Sequence, residues 1–186
     1  GQKLRVLENM RQVTSMSFSP DGSLLAIGTR KGDVVLWDLN DFSHATLRPA
    51  TKDGIWSVAF SPDGQSLAVA MLTQEVEIWD VLGRRQPQRL HGHAHEVRAV
   101  AFSPDGERLT SGSLDGSVCV WDTAAKRSER KHLTLPRNLA DWRFAPDSKS
   151  VVTVDLQGRV ARWHGSDFEE MQPLLEIDPN FDEVCI

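Results

Sequence analysis

Phe102-Ser103-Pro104-Asp105-Gly106 decides the fold, because the same turn sequence returns at a fixed interval along the chain. Copies stand at residues 18–22 and 60–64, and a degenerate copy stands at 144–148, each beginning 42 residues after the last. Ser at the first corner, Pro at the second and Gly at the fourth favour a type I turn that joins two antiparallel strands. The sequence therefore predicts an array of β-rich repeats.

Tryptophan is a second marker with the same period. It occupies Trp37, Trp79, Trp121 and Trp163, and Asp follows the first three. Short runs rich in β-branched residues, such as Val118-Cys119-Val120, precede these tryptophans and are too brief for helices. Many runs are apolar on both faces, as expected for small sheets that stack between neighbours. A period of about 40–45 residues ending in Trp-Asp is typical of a β-propeller.

The phase of the period predicts how the chain is divided. An all-β fold is expected, a β-propeller of four 42-residue blades plus partial flanking blades. The chain is then a fragment or open arc of a larger propeller with seven or eight blades. A homodimer that completes the ring is the alternative. The predicted segments, all in one propeller domain, are 1–9 (outer strand and loop of a preceding blade), 10–51, 52–93, 94–135 and 136–177 (repeats one to four), and 178–186 (start of a following blade).

These markers resemble those of the WD-repeat β-propeller family, whose name-giving dipeptide stands at Trp37-Asp38, Trp79-Asp80 and Trp121-Asp122. The regular Ser-Pro-Asp-Gly turns are similar to those of bacterial-type repeats. For the third repeat, the resemblance implies a buried hydrogen-bonded tetrad that links the strands of the blade. Its members are His93, Ser111, Asp115 and Trp121, with Ser113 as the alternative to Ser111.

The other repeats depart from this tetrad. Asn9, Thr51 and Leu135 stand at the position of His93, and Lys31, Thr73 and Gln157 stand at the position of Asp115. Repeat four also has His164 where the other repeats have Asp after tryptophan. We therefore expect three blades to be held by packing without the full polar relay.

The resemblance also implies a partner-binding surface, at positions that flank the first apolar residue of each inner strand or precede the tetrad Asp. Trp56 is the preferred anchor, because it lies outside the tryptophan period and because Trp and Arg commonly anchor interfaces. A core role between blades is the alternative for Trp56, whereas Trp142 is predicted to be core. The predicted partner-binding residues are Gln12, Thr14, Arg30, Trp56, Leu72, Glu96, Arg98, Leu114, Asn138 and Leu156.

Composition limits the classes of partner. The chain has 21 Lys and Arg against 26 Asp and Glu, a formal charge of −5, which argues against a nucleic-acid surface. The basic stretch 84–89 is interpreted as a solvated outer strand. No apolar run approaches the roughly 20 residues that span a membrane, and no secretory segment is present, so we predict a cytoplasmic location and no membrane partner. Two cysteines are too few for a disulfide framework, and Cys119 is predicted to be a small buried apolar residue.

Three groups of residues have the residue types of a chemical site. The tetrad contains those of a hydrolytic triad, but no nucleophile-elbow motif surrounds the serine. His91, His93 and His95 stand at alternate positions of the sequence. No Cys or carboxylate at a known ligand spacing completes a zinc site with them, and Glu96 is the single candidate for a further ligand. Residues 28–32 lack the Gly-Lys-Ser/Thr of a phosphate loop and are interpreted as a hairpin turn. We therefore predict no catalytic residue, no metal and no cofactor.

The leading prediction of function is a non-enzymatic scaffold that binds a protein or peptide on the propeller face. The alternative is a sensor or targeting module of a multidomain signalling enzyme, a kinase or NTPase, whose catalytic domain lies outside these residues. A periplasmic propeller of the translocation-protein type shares the Ser-Pro-Asp-Gly turns, but the Trp-Asp endings and Gly92-His93 favour the WD family.

Overall fold

The computed structural model describes residues 12–47, 53–123, 130–133, 139–164 and 170–175. Over these residues the chain forms sixteen strands in four antiparallel sheets, each built from four strands that are consecutive in the chain. The same residues contain no helix, and hence no helix long and apolar enough to cross a membrane. The predicted all-β fold of stacked propeller blades is confirmed, and the described residues form an arc rather than a closed ring.

The strands of each sheet follow one another from the inner to the outer edge. The first sheet contains β1 (Val13–Phe18), β2 (Leu24–Thr29), β3 (Val34–Asp38) and β4 (His44–Leu47). The second contains β5 (Ile55–Phe60), β6 (Ser66–Met71), β7 (Glu75–Asp80) and β8 (Gln88–His91). The third contains β9 (Val97–Phe102), β10 (Arg108–Ser113), β11 (Val118–Asp122) and β12 (Arg130–Leu133). The fourth contains β13 (Leu139–Phe144), β14 (Val151–Asp155), β15 (Val160–His164) and β16 (Glu170–Leu175).

The recurring turn joins the first two strands of every sheet. Between β9 and β10, the Gly106 N–H donates to the Ser103 carbonyl over 2.9 Å, which closes the turn. The Asp105 carboxylate accepts from the Ser103 hydroxyl at 2.6 Å and from the Glu107 N–H at 3.0 Å. Gly106 has a φ of 76°, in the left-handed region that glycine enters without a Cβ penalty. The turn sequence thus fixes the strand pairing through its own side chains.

Successive sheets pack face to face in chain order, and their apolar side chains form the core. Residues of the first and second sheets share one cluster, and residues of the second and third sheets share another. The first of these clusters includes Ala26, Val34, Val58, Phe60, Leu67, Val69 and Trp79, and the second includes Ala68, Ala70, Leu90, Val97, Val100, Leu109 and Trp121. The apolar character of both strand faces is explained by this stacking.

Serine side chains connect neighbouring inner strands. The Ser15 hydroxyl oxygen accepts the Val58 N–H at 3.1 Å, and the Ser57 oxygen accepts the Val100 N–H at 3.3 Å. The inner strand is the edge of its sheet, so these N–H groups have no strand partner there. The serines therefore satisfy edge donors that would otherwise be buried without a hydrogen bond.

The contact between the third and fourth sheets is built differently. Ala99 occupies the repeat position of Ser57 and offers no oxygen to the next strand. Instead, the Trp142 ring lies directly against Gly112, where its atoms leave no room for a Cβ. Trp142 packs with a cluster that contains Val118 and Val151, in the core position expected from the sequence.

The first sheet has an exposed apolar face. Met16 and Phe18 are each 63% exposed. The residues at the same positions of the second repeat, Val58 and Phe60, are buried against the first sheet. One side of β1 thus presents the residues that elsewhere in the arc pack between sheets.

Candidate functional site

A β-bulge lies near the start of each inner strand. The pairing of β5 with β6 skips Trp56, and the pairings of β1, β9 and β13 skip Thr14, Arg98 and Ala140 at the same repeat position. A bulge bends the strand and changes the direction of the extra residue's side chain. The predicted contact position in each inner strand is therefore a residue outside the regular alternation.

Trp56 lies between two arginines that come from the sheets on either side. The guanidinium carbon of Arg98 is 3.7 Å from the centroid of the Trp56 ring, and that of Arg30 is 5.3 Å away. Both distances allow cation–π attraction. Nη2 of Arg98 is also 3.4 Å from Oε2 of Glu96. Trp56 itself is half-buried, and its Nε1 has no hydrogen-bond partner among the described residues.

A glycine allows a close approach beside this ring. The Leu72 N–H donates to the Gly54 carbonyl over 2.7 Å. A Cβ on Gly54 would collide with the Arg30 carbonyl and the Leu72 side chain, so only glycine fits there. Leu72 and Arg30 therefore meet at the start of β5, two residues before Trp56. We call Arg30, Trp56, Leu72, Glu96 and Arg98 the Trp56 cluster.

The other predicted partner-binding residues lie outside this cluster. Thr14 donates its hydroxyl to the Ile55 carbonyl at 2.7 Å, which links two sheets. Gln12 accepts the Arg30 N–H through its carbonyl at 2.9 Å. Leu114 and Leu156 are 52% and 73% exposed, and no described contact joins them to Trp56. Asn138 lies outside the described residues.

A cleft of about 500 Å³ adjoins the Trp56 cluster. It lies between the second and third sheets and shares Leu72 and Glu96 with the cluster. In the same region, Nδ1 of His91 is 3.1 Å from Oε1 of Glu75. The cleft is lined by Leu72, Thr73, Gln74, Glu75, Ala94, His95 and Glu96.

The predicted tetrad residues form one chain of hydrogen bonds inside the third sheet. Trp121 Nε1 lies 2.7 Å from Ser111 Oγ, which lies 2.8 Å from His93 Nε2, and His93 Nδ1 lies 3.2 Å from Asp115 Oδ2. The indole only donates and the carboxylate only accepts, so a neutral His93 with its proton on Nδ1 completes the chain. Ser113 instead donates to the His95 carbonyl at 3.0 Å, so Ser111 is the serine in this chain.

The electrostatics of Asp115 favour its charged form. Burial raises the pKa of this carboxyl, but hydrogen bonds from Ser117 and from the Ala94 N–H outweigh burial and hold the pKa below its usual range. Ser111 is fully buried, with its oxygen between Trp121 and His93. The group with triad residue types is thus a closed relay and offers no exposed nucleophile.

The second and fourth sheets satisfy their periodic tryptophans by other means. Trp79 Nε1 donates to Oε2 of the fully buried Glu77 at 2.8 Å, and Trp163 Nε1 donates to Thr153 Oγ1 at 2.9 Å. Nε of Arg89 lies 3.1 Å from the other oxygen of Glu77. In these two blades, a side-chain hydrogen bond to the periodic tryptophan thus supplements the packing. One signal was present in the sequence, a single Glu inside an otherwise apolar run.

The first sheet has no such acceptor. Nε1 of Trp37 has no hydrogen-bond partner among the described residues, and the ring stacks on His44 with 4.5 Å between centroids. Ile27 stands at the repeat position of Ser111, and an apolar side chain cannot accept the indole proton. For this blade, the expected reliance on packing agrees with the structure.

The basic stretch before β8 differs from its predicted form. The strand begins at Gln88, after most of the stretch. Nε of Arg84 and Nε of Arg85 lie 3.4 Å and 4.0 Å from Oδ2 of Asp80. Arg89 forms an ion pair with the buried Glu77. The arginine side chains are exposed as expected, but the strand starts later than predicted and Arg89 also pairs with a buried carboxylate.

The alternating histidines do not converge on a common point. His91 contacts Glu75, whereas His93 belongs to the buried relay. In the described part of the chain, no three His, Cys, Asp or Glu side chains are arranged to hold a metal ion.

Comparison with known families agrees with the repeat structure. The family model described as WD domain, G-beta repeat (WD40) matches residues 1–38, 43–80 and 84–122, more than half of the chain. The three matches end on Asp38, Asp80 and Asp122, the residues that follow three of the periodic tryptophans. A search of curated proteins gave no match to this chain. The chain belongs to the WD40 repeat family.

Proposed function

We propose that this chain is a non-enzymatic scaffold that binds a protein or peptide partner at the Trp56 cluster. WD40 repeats generally mediate protein–protein interaction, so the class of function follows from the family. The proposal adds a location on this chain.

The position of Trp56 is the observation that supports this location. A tryptophan at a bulge, half-buried and flanked by Arg30 and Arg98, combines the two residue types that most often dominate binding energy. The periodic tryptophans Trp79 and Trp121 are instead buried inside the stacked sheets. Trp56 lies outside the tryptophan period and, unlike Trp142, is flanked by cations rather than packed against a glycine of the neighbouring sheet.

The backbone around the cluster supports the proposal because it is ordered by hydrogen bonds before any partner arrives. In the first three sheets, one backbone hydrogen bond of 2.7–3.0 Å joins the residue after the second strand to the residue before the first strand. The donor N–H groups belong to Arg30, Leu72 and Leu114, and the acceptor carbonyls to Gln12, Gly54 and Glu96. The backbone that carries these side chains is therefore already fixed, and a partner does not have to order it on binding.

Selection from a displayed peptide library tests the proposal. The wild-type chain is the target, and the Trp56→Ala chain is used for counter-selection. Leu82→Ala is the matched control, because Leu82 is 71% exposed and follows β7 at the opposite end of the strand from the cleft. We expect selected peptides to bind the wild type and the control alike, and to lose about 30-fold in affinity on Trp56→Ala, as anchor residues do.

Two results would contradict the scaffold function at this site. One is the absence of any enriched peptide, and the other is a set of peptides that binds the Trp56→Ala chain as tightly as the wild type. The cytoplasmic location, the signalling role, the homodimer and the exclusion of nucleic acid and membrane partners stay predictions.

A further inference from the structure

We propose that the Trp56 cluster recognises an acidic peptide segment, one carboxylate of which displaces Glu96 from Arg98 while Arg30 supplies a second positive charge beside the same ring. The inference rests on the proposed scaffold function and adds the chemical class of the partner.

Arg98 is oriented for this task by its contact with the tryptophan. The guanidinium carbon is 3.7 Å from the ring centroid, so the ring restricts the orientation of the cation. A guanidinium group that stacks through its face keeps its N–H donors in the plane, pointing away from the ring. Two of these donors, side by side, match the spacing of the two oxygens of a carboxylate. Stacking on Trp56 therefore holds the N–H donors of Arg98 in a defined orientation.

Arg30 supplies a second positive charge beside the same ring. Its guanidinium carbon lies 5.3 Å from the centroid, and the residue is exposed. Within the described ranges, no carboxylate lies within ion-pair distance of Arg30, whereas Arg98 has Glu96. The cluster thus contains two cations beside one ring but only one carboxylate, so it carries an excess positive charge that a further anion would neutralise.

Glu96 occupies the place that a partner carboxylate would take. Its Oε2 is 3.4 Å from Arg98 Nη2, and the two side chains are 31% and 40% exposed. An ion pair this exposed is weak, because water and salt screen it. A partner carboxylate that bonds Arg98 through both of its oxygens can replace Glu96, and the adjoining cleft of about 500 Å³ has space for the displaced side chain.

The charges around the cluster favour a peptide over a nucleic acid. Glu75 and Glu96 both line the cleft, and the whole chain has a formal charge of −5. A continuous phosphate backbone would meet these carboxylates, and its binding depends on a concentration of Lys and Arg that this edge lacks. A peptide can place single carboxylates at the two arginines and avoid the glutamates.

Three labelled peptides test the partner class on the full 186-residue chain by fluorescence anisotropy. The probes are octapeptides that alternate Ala with Glu, Gln or Lys, and oligothymidylate is a fourth probe. We expect the Glu peptide to bind about tenfold more tightly than the Gln peptide, with the difference decreasing as salt increases. Arg98→Ala and Arg30→Ala should each remove most of this difference, and Lys31→Ala, which removes a neighbouring exposed cation, should not.

Glu96→Gln is the decisive variant, because it predicts a gain. Removing the competing carboxylate should strengthen binding of the Glu peptide by about threefold or more, on the order of a weak surface ion pair. Glu75→Gln is the matched control, since it removes the same charge from the same cleft but from a side chain that contacts His91 and not Arg98. A gain confined to Glu96→Gln cannot come from misfolding or from net charge.

Several outcomes overturn the inference. These are equal binding of the Glu and Gln peptides, tighter binding of the Lys peptide or of oligothymidylate, no binding by any probe, or a loss on Glu96→Gln. The scaffold function fails separately. Selected peptides that need Trp56 but contain no Asp or Glu would leave the scaffold intact and refute the acidic partner.

Discussion

Ser148 adopts a backbone conformation that glycine adopts in the other three turns. Its φ is 58°, against 72°, 70° and 76° for Gly22, Gly64 and Gly106. A residue with a Cβ in this region loses about 1–2 kcal/mol. The Ser148 hydroxyl oxygen offsets part of this cost, because it accepts the Asp105 N–H at 3.0 Å across the third and fourth sheets.

Two substitutions of Ser148 separate the strain from the hydrogen bond. Ser148→Ala keeps the strained backbone and removes the bond, so the free energy of unfolding should fall by about 1 kcal/mol. Ser148→Gly removes both, so its stability should stay close to that of the wild type. Urea unfolding of the three proteins measures these differences. Equal stability of the Ala and Gly variants would show that the turn is not strained.

At the residue scale, the sequence predicted where the site residues lie better than it predicted which side chains they contact. The resemblance to the WD family implied that Arg30, Trp56 and Arg98 lie on one surface, and the period of 42 residues assigns Trp56 and Arg98 to equivalent positions. It did not reveal the bulge, since the pairing of β5 with β6 depends on both strands. It also missed the acceptor role of Glu77, because a buried carboxylate needs partners such as Arg89 from another strand.

At the scale of strands and turns, the relay of the third sheet should contribute to stability. Ser111→Ala would leave Trp121 Nε1–H and His93 Nε2 without their shared partner in a fully buried place. We expect the free energy of unfolding to fall by about 1–3 kcal/mol. Ser113→Ala, two residues along the same strand, removes a hydroxyl from a less buried site and should cost less. Denaturant unfolding compares the two, and equal losses would exclude a special role for the relay.

The turn aspartates should make the fold sensitive to acid. Hydrogen bonds from the Ser19 hydroxyl and from Ser23 lower the pKa of Asp21 from 3.8 to about 2, and those from Lys149 and Ser150 lower the pKa of Asp147 to about 2. Because the folded pKa values are lower, the unfolded chain binds more protons in this range. Their stabilisation is present above about pH 4 and is lost as the pH falls through about 2.

Unfolding in urea between pH 6 and pH 2 measures this dependence. The Asp21→Asn chain is the control, because its amide does not titrate and its stability should fall less steeply over the same interval. A free energy of unfolding that stays constant from pH 5 to pH 2 would contradict the account of the turns.

The strands and turns were largely predictable, and the reason is the repeat itself. Each Ser-Pro-Asp-Gly turn carries its own hydrogen-bond partners, such as Ser103 and Asp105, so local sequence specifies local structure. The start of β8 at Gln88 was not predictable, because Arg84 and Arg85 are positioned by contacts with Asp80. The residue at which an outer strand begins therefore depends on contacts with the rest of its sheet.

At the scale of the whole molecule, the exposed face of the first sheet should promote association. Met16 and Phe18 are exposed, whereas Val58 and Phe60 at the equivalent positions are buried between sheets. An apolar face of this kind favours a partner surface over water. Light scattering should therefore show a mass that rises with protein concentration. The double substitution Met16→Gln and Phe18→Gln should suppress the rise, while Leu82→Gln, at another exposed apolar residue, should leave it unchanged.

The Trp56 cluster is also a property of the whole arc, because its residues come from three successive sheets. Arg30 belongs to the loop after β2, Trp56 to β5 and Arg98 to β9. The cluster exists only while these sheets are stacked, which the serine bonds between inner strands support. Because the cluster spans three sheets, binding at this surface depends on the stability of the stacked arc.

The melting temperature and peptide affinity of Trp56→Ala, measured on one preparation, test the central claim most directly. A binding residue should leave the melting temperature within about 2 °C of the wild type, and its loss should weaken a selected peptide by about 30-fold. A core residue would instead cost about 3–5 kcal/mol, or roughly 10 °C, on truncation. A drop of that size with unchanged affinity would contradict the account and assign Trp56 to the core.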